Sequence, residues 1–231
     1  MSDIINFDNF EKHDYPYPYM FTDNCFSKAD LENLINEFPD VSNGNFVMGG
    51  RRQMDTKALS SWLEQAPTWN RFYSFLNTKD RFDKVTAQYA DSLKRWESVL
   101  TPESGPESDS FLHIDWSEAG DGYTREIHRD TDPRIWNFII FFNDKDWEGG
   151  DFVIHSSDAL RIYPRQIFGS SLPVERVVEA RKNTAVFFLS TPNSYHSVSK
   201  QSNTKTPRKF IYGAYTMKNE RDVFRKRYNM S

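Results

Sequence analysis

The stretch TREIHRDTDPRIWNFIIFFNDKDWEGGDF, residues 124–152, decides how the rest of the chain is read. It opens with a histidine and a carboxylate two residues apart, His128 and Asp130. In extended backbone, residues i and i+2 point to the same side, so both side chains can face one metal ion. An apolar and aromatic strand follows from Ile135 to Phe142, broken by the single polar residue Asn137, and ends in Asn143-Asp144. Trp147-Glu148-Gly149-Gly150-Asp151-Phe152 then makes a tight glycine turn into another strand.

Outward from this stretch the period of two continues. Candidate strands occupy 110–116, 124–129, 134–142, 150–155, 159–163, 174–180, 184–189, 194–199 and 207–216. No crossover helices separate them, which predicts a mainly β sandwich or jelly roll rather than a parallel sheet. Upstream the pattern is helical. Ser27 caps a helix carrying Leu31, Leu34, Ile35 and Phe38, with Phe26 stapled to Leu31 and Pro39 as the stop. Leu59, Trp62, Leu63 and Ala66 mark a second helix. Trp69, Phe72, Tyr73 and Leu76 mark a third after Pro67, and Val85, Tyr89, Leu93, Trp96 and Leu100 a longer one. Residues 1–24 read as an irregular lead-in, extended through Tyr15–Tyr19 because each proline disfavours helix at the residue before it. Asn43-Gly44-Asn45 and Gly49-Gly50 read as a turn-rich connection. Residues 101–109 form a breaker cluster. The expectation is a single domain over 1–231: a helical bracing part to residue 105, a β core over 106–217 and a basic tail over 218–231.

Composition narrows the function classes. The 231 residues carry a formal charge of −4, against general nucleic-acid binding, which needs a basic field. The longest strictly apolar runs, 138–142 and 185–189, fall far short of the about 20 residues that span a bilayer. The acidic first residues lack an apolar signal core, so a cytoplasmic location is expected. Cys25 is the only cysteine and reads as a small buried hydrophobe. Six Trp, 11 Tyr and 19 Phe exclude a chain that stays solvated. Nothing in the sequence fixes the oligomeric state.

Taken singly, each of the five histidines reads as structural or solvated. The interest lies in combination. His196 follows Asp130 by 66 residues, and two histidines with one carboxylate make the facial triad of non-haem Fe(II) oxygenases. Three protein ligands leave three adjacent positions, enough for a chelating cosubstrate and O2. His113-Ile114-Asp115 is a competing His-x-Asp, but the strand and glycine turn follow His128, and a suitably placed cation, Arg208, follows His196 by 12 residues.

The ordered set His128, Asp130, Gly149-Gly150, His196, Arg208 resembles the Fe(II)- and 2-oxoglutarate-dependent dioxygenases, most closely their prolyl-hydroxylase-like branch, over about residues 108–217. The resemblance implies a double-stranded β-helix braced by helices. It also implies Fe(II) bound by His128, Asp130 and His196, with 2-oxoglutarate and O2 as cosubstrates and ascorbate in support. Decarboxylation to succinate and CO2 would accompany oxidation of a substrate C–H bond, in a small molecule or a peptide, a prolyl residue being the branch's suggestion. Asp130 separates the chain from related halogenases, which have Ala or Gly there. A guanidinium matches a carboxylate with two parallel hydrogen bonds, making Arg208 the anchor for the far carboxylate of 2-oxoglutarate. Where family members place Ser or Thr two residues on, this chain has Phe210, so Tyr212 is the candidate second donor. Asn137 either touches the metal-proximal carboxylate or faces water. The rival reading is a non-catalytic jelly-roll module binding a sugar or a structural metal, which has no need of Arg208. The aromatic run Trp136, Phe138, Phe141 and Phe142 reads as core. Arg51-Arg52 reads as solvated surface, with an acidic substrate or the entrance as the functional alternative. The basic tail reads as a solvated helix face.

Overall fold

The computed structural model describes residues 3–48, 50–54, 58–89, 110–130, 134–157, 166–167 and 171–217. Two antiparallel sheets face each other. The larger combines β1 (Glu11–His13), β2 (Tyr19–Thr22), β3 (Asn45–Met48), β4 (Arg51–Gln53), β5 (Ser110–Ala119), β7 (Arg134–Phe141), β11 (Ala185–Leu189) and β13 (Arg208–Met217), in the order β1-β2-β11-β7-β13-β5-β4-β3. The smaller runs β10-β8-β12-β6-β9, from β6 (Arg125–His128), β8 (Phe152–His155), β9 (Gln166–Ile167), β10 (Val174–Val178) and β12 (His196–Val198). This is the jelly-roll arrangement, with helices on one outer face.

Strand β7 shows how the period of two builds both layers. Ile139 and Phe141 point between the sheets, against Phe188, Phe152 and Phe210. Trp136, Phe138, Ile140 and Phe142 point the other way, against the helices. Those helices are α1 (Lys28–Asn36), α2 (Leu59–Gln65), α3 (Pro67–Leu76) and α4 (Lys79–Ala87). Ser27 caps α1 as expected, its hydroxyl accepting from Asp30 N at 3.2 Å. Pro67 opens α3, whose first amides are capped from a distance: Glu37 accepts from Thr68 N at 2.8 Å and Trp69 N at 3.3 Å. Trp69 is fully buried, and its indole N–H donates to the carbonyl of Leu34 at 2.9 Å. An indole there fills the helix–sheet layer while leaving no polar atom unsatisfied.

Two expectations need correction. The lead-in is not irregular throughout, because β1 and β2 form a hairpin that extends the large sheet, β2 pairing β11 from Thr22↔Ala185 to Tyr19↔Phe188. Backbone already held extended by Pro16 and Pro18 runs into the open edge of β11, and its amides are satisfied there. The glycine-rich connection is likewise a hairpin, β3–β4, which pairs β5 through Arg51↔Ala119 and Gln53↔Ser117. Gly50 makes the reversal at φ 77°, a region costly for other residues. Of the longer expected helix the described part is Lys79–Ala87, which buries Val85, and Thr78 caps it by accepting from Arg81 N. The positions Leu93, Trp96 and Leu100, the breaker cluster 101–109, the strand 159–163 and the tail 218–231 lie outside the described residues. Among the described residues, no helix is long and apolar enough to cross a membrane.

Gly213, in the middle of β13, tests the helix–sheet layer. A Cβ there would collide with the ring of Phe138, so Gly213→Ala must displace a buried aromatic side chain. Such overpacking costs about 1–3 kcal/mol. Urea denaturation should show that loss at unchanged m-value, and a change within 0.5 kcal/mol would mean the layer is looser than described.

Candidate active site

The small sheet places the two histidines. His196 opens β12 and pairs directly with His128, the last residue of β6, so the rings meet with centroids 4.3 Å apart. Asp130 follows two residues after His128, and its Oδ2 lies 3.7 Å from His196 Nε2. One ligand atom from each of the three residues falls within 4.8 Å of the others, and all three residues are buried. Both imidazoles are held alike. His128 Nδ1 lies 2.7 Å from the carbonyl of Glu126, and His196 Nδ1 lies 3.0 Å from that of Ser194. A carbonyl cannot donate, so each Nδ1 carries the proton and each Nε2 offers its lone pair to the shared centre.

Burial sets the charge states. Removal from water pushes the His128 imidazole down to about 3, with His196 adding to the effect. His196 is lowered for the same first reason. Burial alone would raise the Asp130 carboxyl, but His196, Arg134 and His128 together with the Tyr212 hydroxyl overcome it and hold the group below the usual carboxylate range. The outcome at neutral pH is two neutral imidazoles and one carboxylate, the donor set that suits Fe(II), with no thiolate to favour zinc.

Around Asp130 a polar network fixes its orientation. Arg134 Nη1 donates to Asp130 Oδ1 at 2.9 Å and to the Tyr212 hydroxyl at 2.6 Å. That hydroxyl lies 3.1 Å from Asp130 Oδ2 and 2.7 Å from Asn137 Oδ1, and Asn137 Nδ2 donates to Ser190 Oγ at 2.9 Å. Asn137 is fully buried, which overturns the reading that it faces water, and its amide is committed to Tyr212 and Ser190. Tyr212 therefore sits at the Asp130 end of β13. It shares a face with Arg208, as even spacing requires, but four residues of strand separate the two by about 13 Å, too far to grip one carboxylate together.

Arg208 is fully buried. Its Nη1 donates to the carbonyl of Gly150, while Nε and Nη2 have no partner. Its guanidinium lies over Phe210 at 4.7 Å and Tyr123 at 5.1 Å. Both rings line a cavity of about 230 Å³ that also contains His128, Asp130 and His196. Burial brings Arg208 down to about 10, which leaves it charged at neutral pH.

The competing pair lies elsewhere. His113 Nε2 is 3.0 Å from Asp115 Oδ1, on β5, and neither residue joins the triad. Asp115 nevertheless lines the cavity, as do Arg51, Arg125 and Arg134. Arg51 corrects the expectation of a solvated pair: its side chain is 12% exposed, and Nη2 donates to Ser117 Oγ at 2.9 Å. Arg134 and Tyr123 were not singled out from the sequence. Their one signal there was proximity to His128 and Asp130.

Residues 106–216 match the model of the 2OG-Fe(II) oxygenase superfamily. The chain carries an oxygenase domain of that superfamily. Fe(II), 2-oxoglutarate and O2 are the reagents of the family, and the triad, whose imidazoles are neutral and whose cavity is open beside them, fits such an ion. Among solved structures, the domain's fold is similar to HygX from Streptomyces hygroscopicus with nickel, 2-oxoglutarate and hygromycin B bound, at 11% identity and TM-score 0.53, covering 86% of this chain and 82% of that one. It is also similar to a prolyl hydroxylase from Trichoplax adhaerens in complex with a hypoxia inducible factor peptide fragment, at 12% identity and TM-score 0.52, covering 92% and 87%. At such identities the likeness is one of fold. No curated protein matches the sequence.

The geometry separates the two His-x-Asp pairs experimentally. His128→Ala and His196→Ala should each abolish binding of one Mn(II) per chain in calorimetry, while His113→Ala retains it. Loss of the ion from folded His113→Ala would transfer the site to the other pair. A second expectation concerns protons. At pH 6 ordinary imidazoles, with pKa about 6.5, are mostly protonated and must release protons on metal binding. His128, already neutral, releases almost none, so calorimetry in buffers of different ionisation enthalpy should give well under one proton per Mn(II). Release of more than one would show that these imidazoles are not held neutral.

Proposed function

We propose that the oxygenase domain hydroxylates a small molecule or a peptide residue, with 2-oxoglutarate converted to succinate and CO2. The observation that carries this reading is Arg208. A guanidinium enclosed among Tyr123, Phe141 and Phe210, with two nitrogens unpartnered, is costly unless an anion arrives. The far carboxylate of 2-oxoglutarate is that anion. A structural metal or a neutral sugar would leave the charge uncompensated.

Each residue then has a task. His128, Asp130 and His196 would hold the iron, which when bound supplies the centre where the keto acid and O2 meet. The carbonyls of Glu126 and Ser194 keep both Nε2 atoms facing that centre. Arg134 and Tyr212 keep Asp130 ionised and oriented. Ile139, Phe152, Val198 and Phe210 provide apolar walls that exclude water. Tyr123, in contact with Arg208 and on the cavity wall, takes the place of second donor that was expected of Tyr212. Asp130 itself favours hydroxylation, because no ligand position is vacated for a halide.

The test uses 2-oxoglutarate titrated into Mn(II)-loaded protein. Leaving one member of a buried charge pair alone costs about 3–5 kcal/mol, so Arg208→Ala should weaken 2-oxoglutarate on the order of a hundredfold or more, with metal affinity little changed. Arg208→Lys should lose less, keeping the charge and losing the bidentate fork. Wild-type affinity in Arg208→Ala would mean that another group holds the carboxylate. Succinate release under Fe(II), ascorbate and O2 reads the reaction itself.

A further inference from the structure

Lining the cavity are three arginines, Arg51, Arg125 and Arg134, against two aspartates, Asp115 and Asp130. Arg134 is committed to Asp130. Asp115 is divided between two partners, its Oδ1 3.0 Å from His113 and its Oδ2 3.5 Å from Arg51. Arg51 is therefore poorly matched by acid. Its Nε and Nη2 rest on the Ser117 hydroxyl at 3.1 and 2.9 Å, and among the described residues Nη1 has no partner.

Arg51 and Arg208 also share the ring of Phe210, at 5.3 and 4.7 Å. Two guanidinium groups on one aromatic ring repel each other across a poorly screened interior. One dianion bound together with a metal dication is neutral as a pair, so it leaves the positive charge of Arg51 beside Phe210 as it was. The fold has also spent a strand on placing Arg51 here: β4 pairs β5 through Arg51↔Ala119, so the residue lies inward beside Ser117 and Asp115. Its hairpin neighbour Val47 lines the same cavity and is 39% exposed, which puts Arg51 on the side that opens outward.

We infer that Arg51, seated on Ser117, is a second carboxylate-binding point of this cavity, distinct from Arg208, and that the substrate brought to the iron site carries a carboxylate there. The inference rests on the oxygenase reading above and names its substrate class. A cavity of about 230 Å³ lies below the roughly 300–1,000 Å³ of drug-sized pockets, so the acid it admits is small or is the end of a chain. A carboxylate on Nη1 and Nη2 would use the bidentate face that Asp115 only approaches.

The experiment takes protein loaded with Mn(II) and saturating 2-oxoglutarate and measures, by calorimetry, the binding of N-acetyl amino acids and short peptides, each as the free acid and as its amide. At least one acid should bind tenfold or more tighter than its amide. Arg51→Gln should reduce that preference to under threefold, and Arg51→Lys should keep part of it. The affinity for 2-oxoglutarate should change less than threefold in both variants. The inference is overturned if no acid binds more tightly than its amide, or if the preference survives Arg51→Gln. It is also overturned if Arg51→Gln weakens 2-oxoglutarate tenfold, which would assign the arginine to the cosubstrate. Failure of the oxygenase reading looks different: 2-oxoglutarate would not bind the wild-type protein at all.

Discussion

The pairing of β6 with β12 is the constraint on which the site depends. It sets His128 opposite His196, and the backbone just before each histidine supplies the carbonyl that fixes its proton on Nδ1. Side-chain position and tautomer thus both follow from strand register. A slip of one residue in either strand would turn its imidazole to the outer face of the sheet. The larger sheet and its helices hold that register indirectly, because β7 and β13 bring Asn137, Arg134 and Tyr212 to Asp130 across the gap between the sheets.

Charge in the cavity is arranged in two regions. Around the triad each charge meets an opposite: Asp130 has Arg134, and the imidazoles are held neutral by burial. Around Phe210 positive charge is in excess, with Arg208 enclosed and Arg51 nearer the opening. An enclosed guanidinium with two unpartnered nitrogens, next to an Arg51 that Asp115 only approaches at 3.5 Å, suits a container for anions better than a site for a neutral sugar.

What the sequence made legible was local. His128, Asp130 and the glycine turn lie within one short stretch, and short continuous apolar runs marked β7 and β11 because both are buried on both faces. Ser27 and Pro67 announced α1 and α3 through capping chemistry. What stayed hidden depends on partners distant in the chain. β2 is a strand because of β11, more than 160 residues later. Arg51 reads as surface until β4 pairs β5 and sets it against Ser117 and Asp115. Tyr212 shares a face with Arg208, as alternation says, yet alternation gives no distance to the ligand, and the strand's rise carries the hydroxyl to Asp130 instead.

The central claim is that the three ligands leave adjacent positions for a chelating keto acid. It is tested most directly by adding 2-oxoglutarate to the Fe(II)-loaded protein without oxygen. The account predicts a visible metal-to-ligand charge-transfer absorption that saturates at one 2-oxoglutarate and one Fe(II) per chain. A site that binds Fe(II) but develops no such absorption at saturating 2-oxoglutarate would be closed to the cosubstrate, and the account would be wrong.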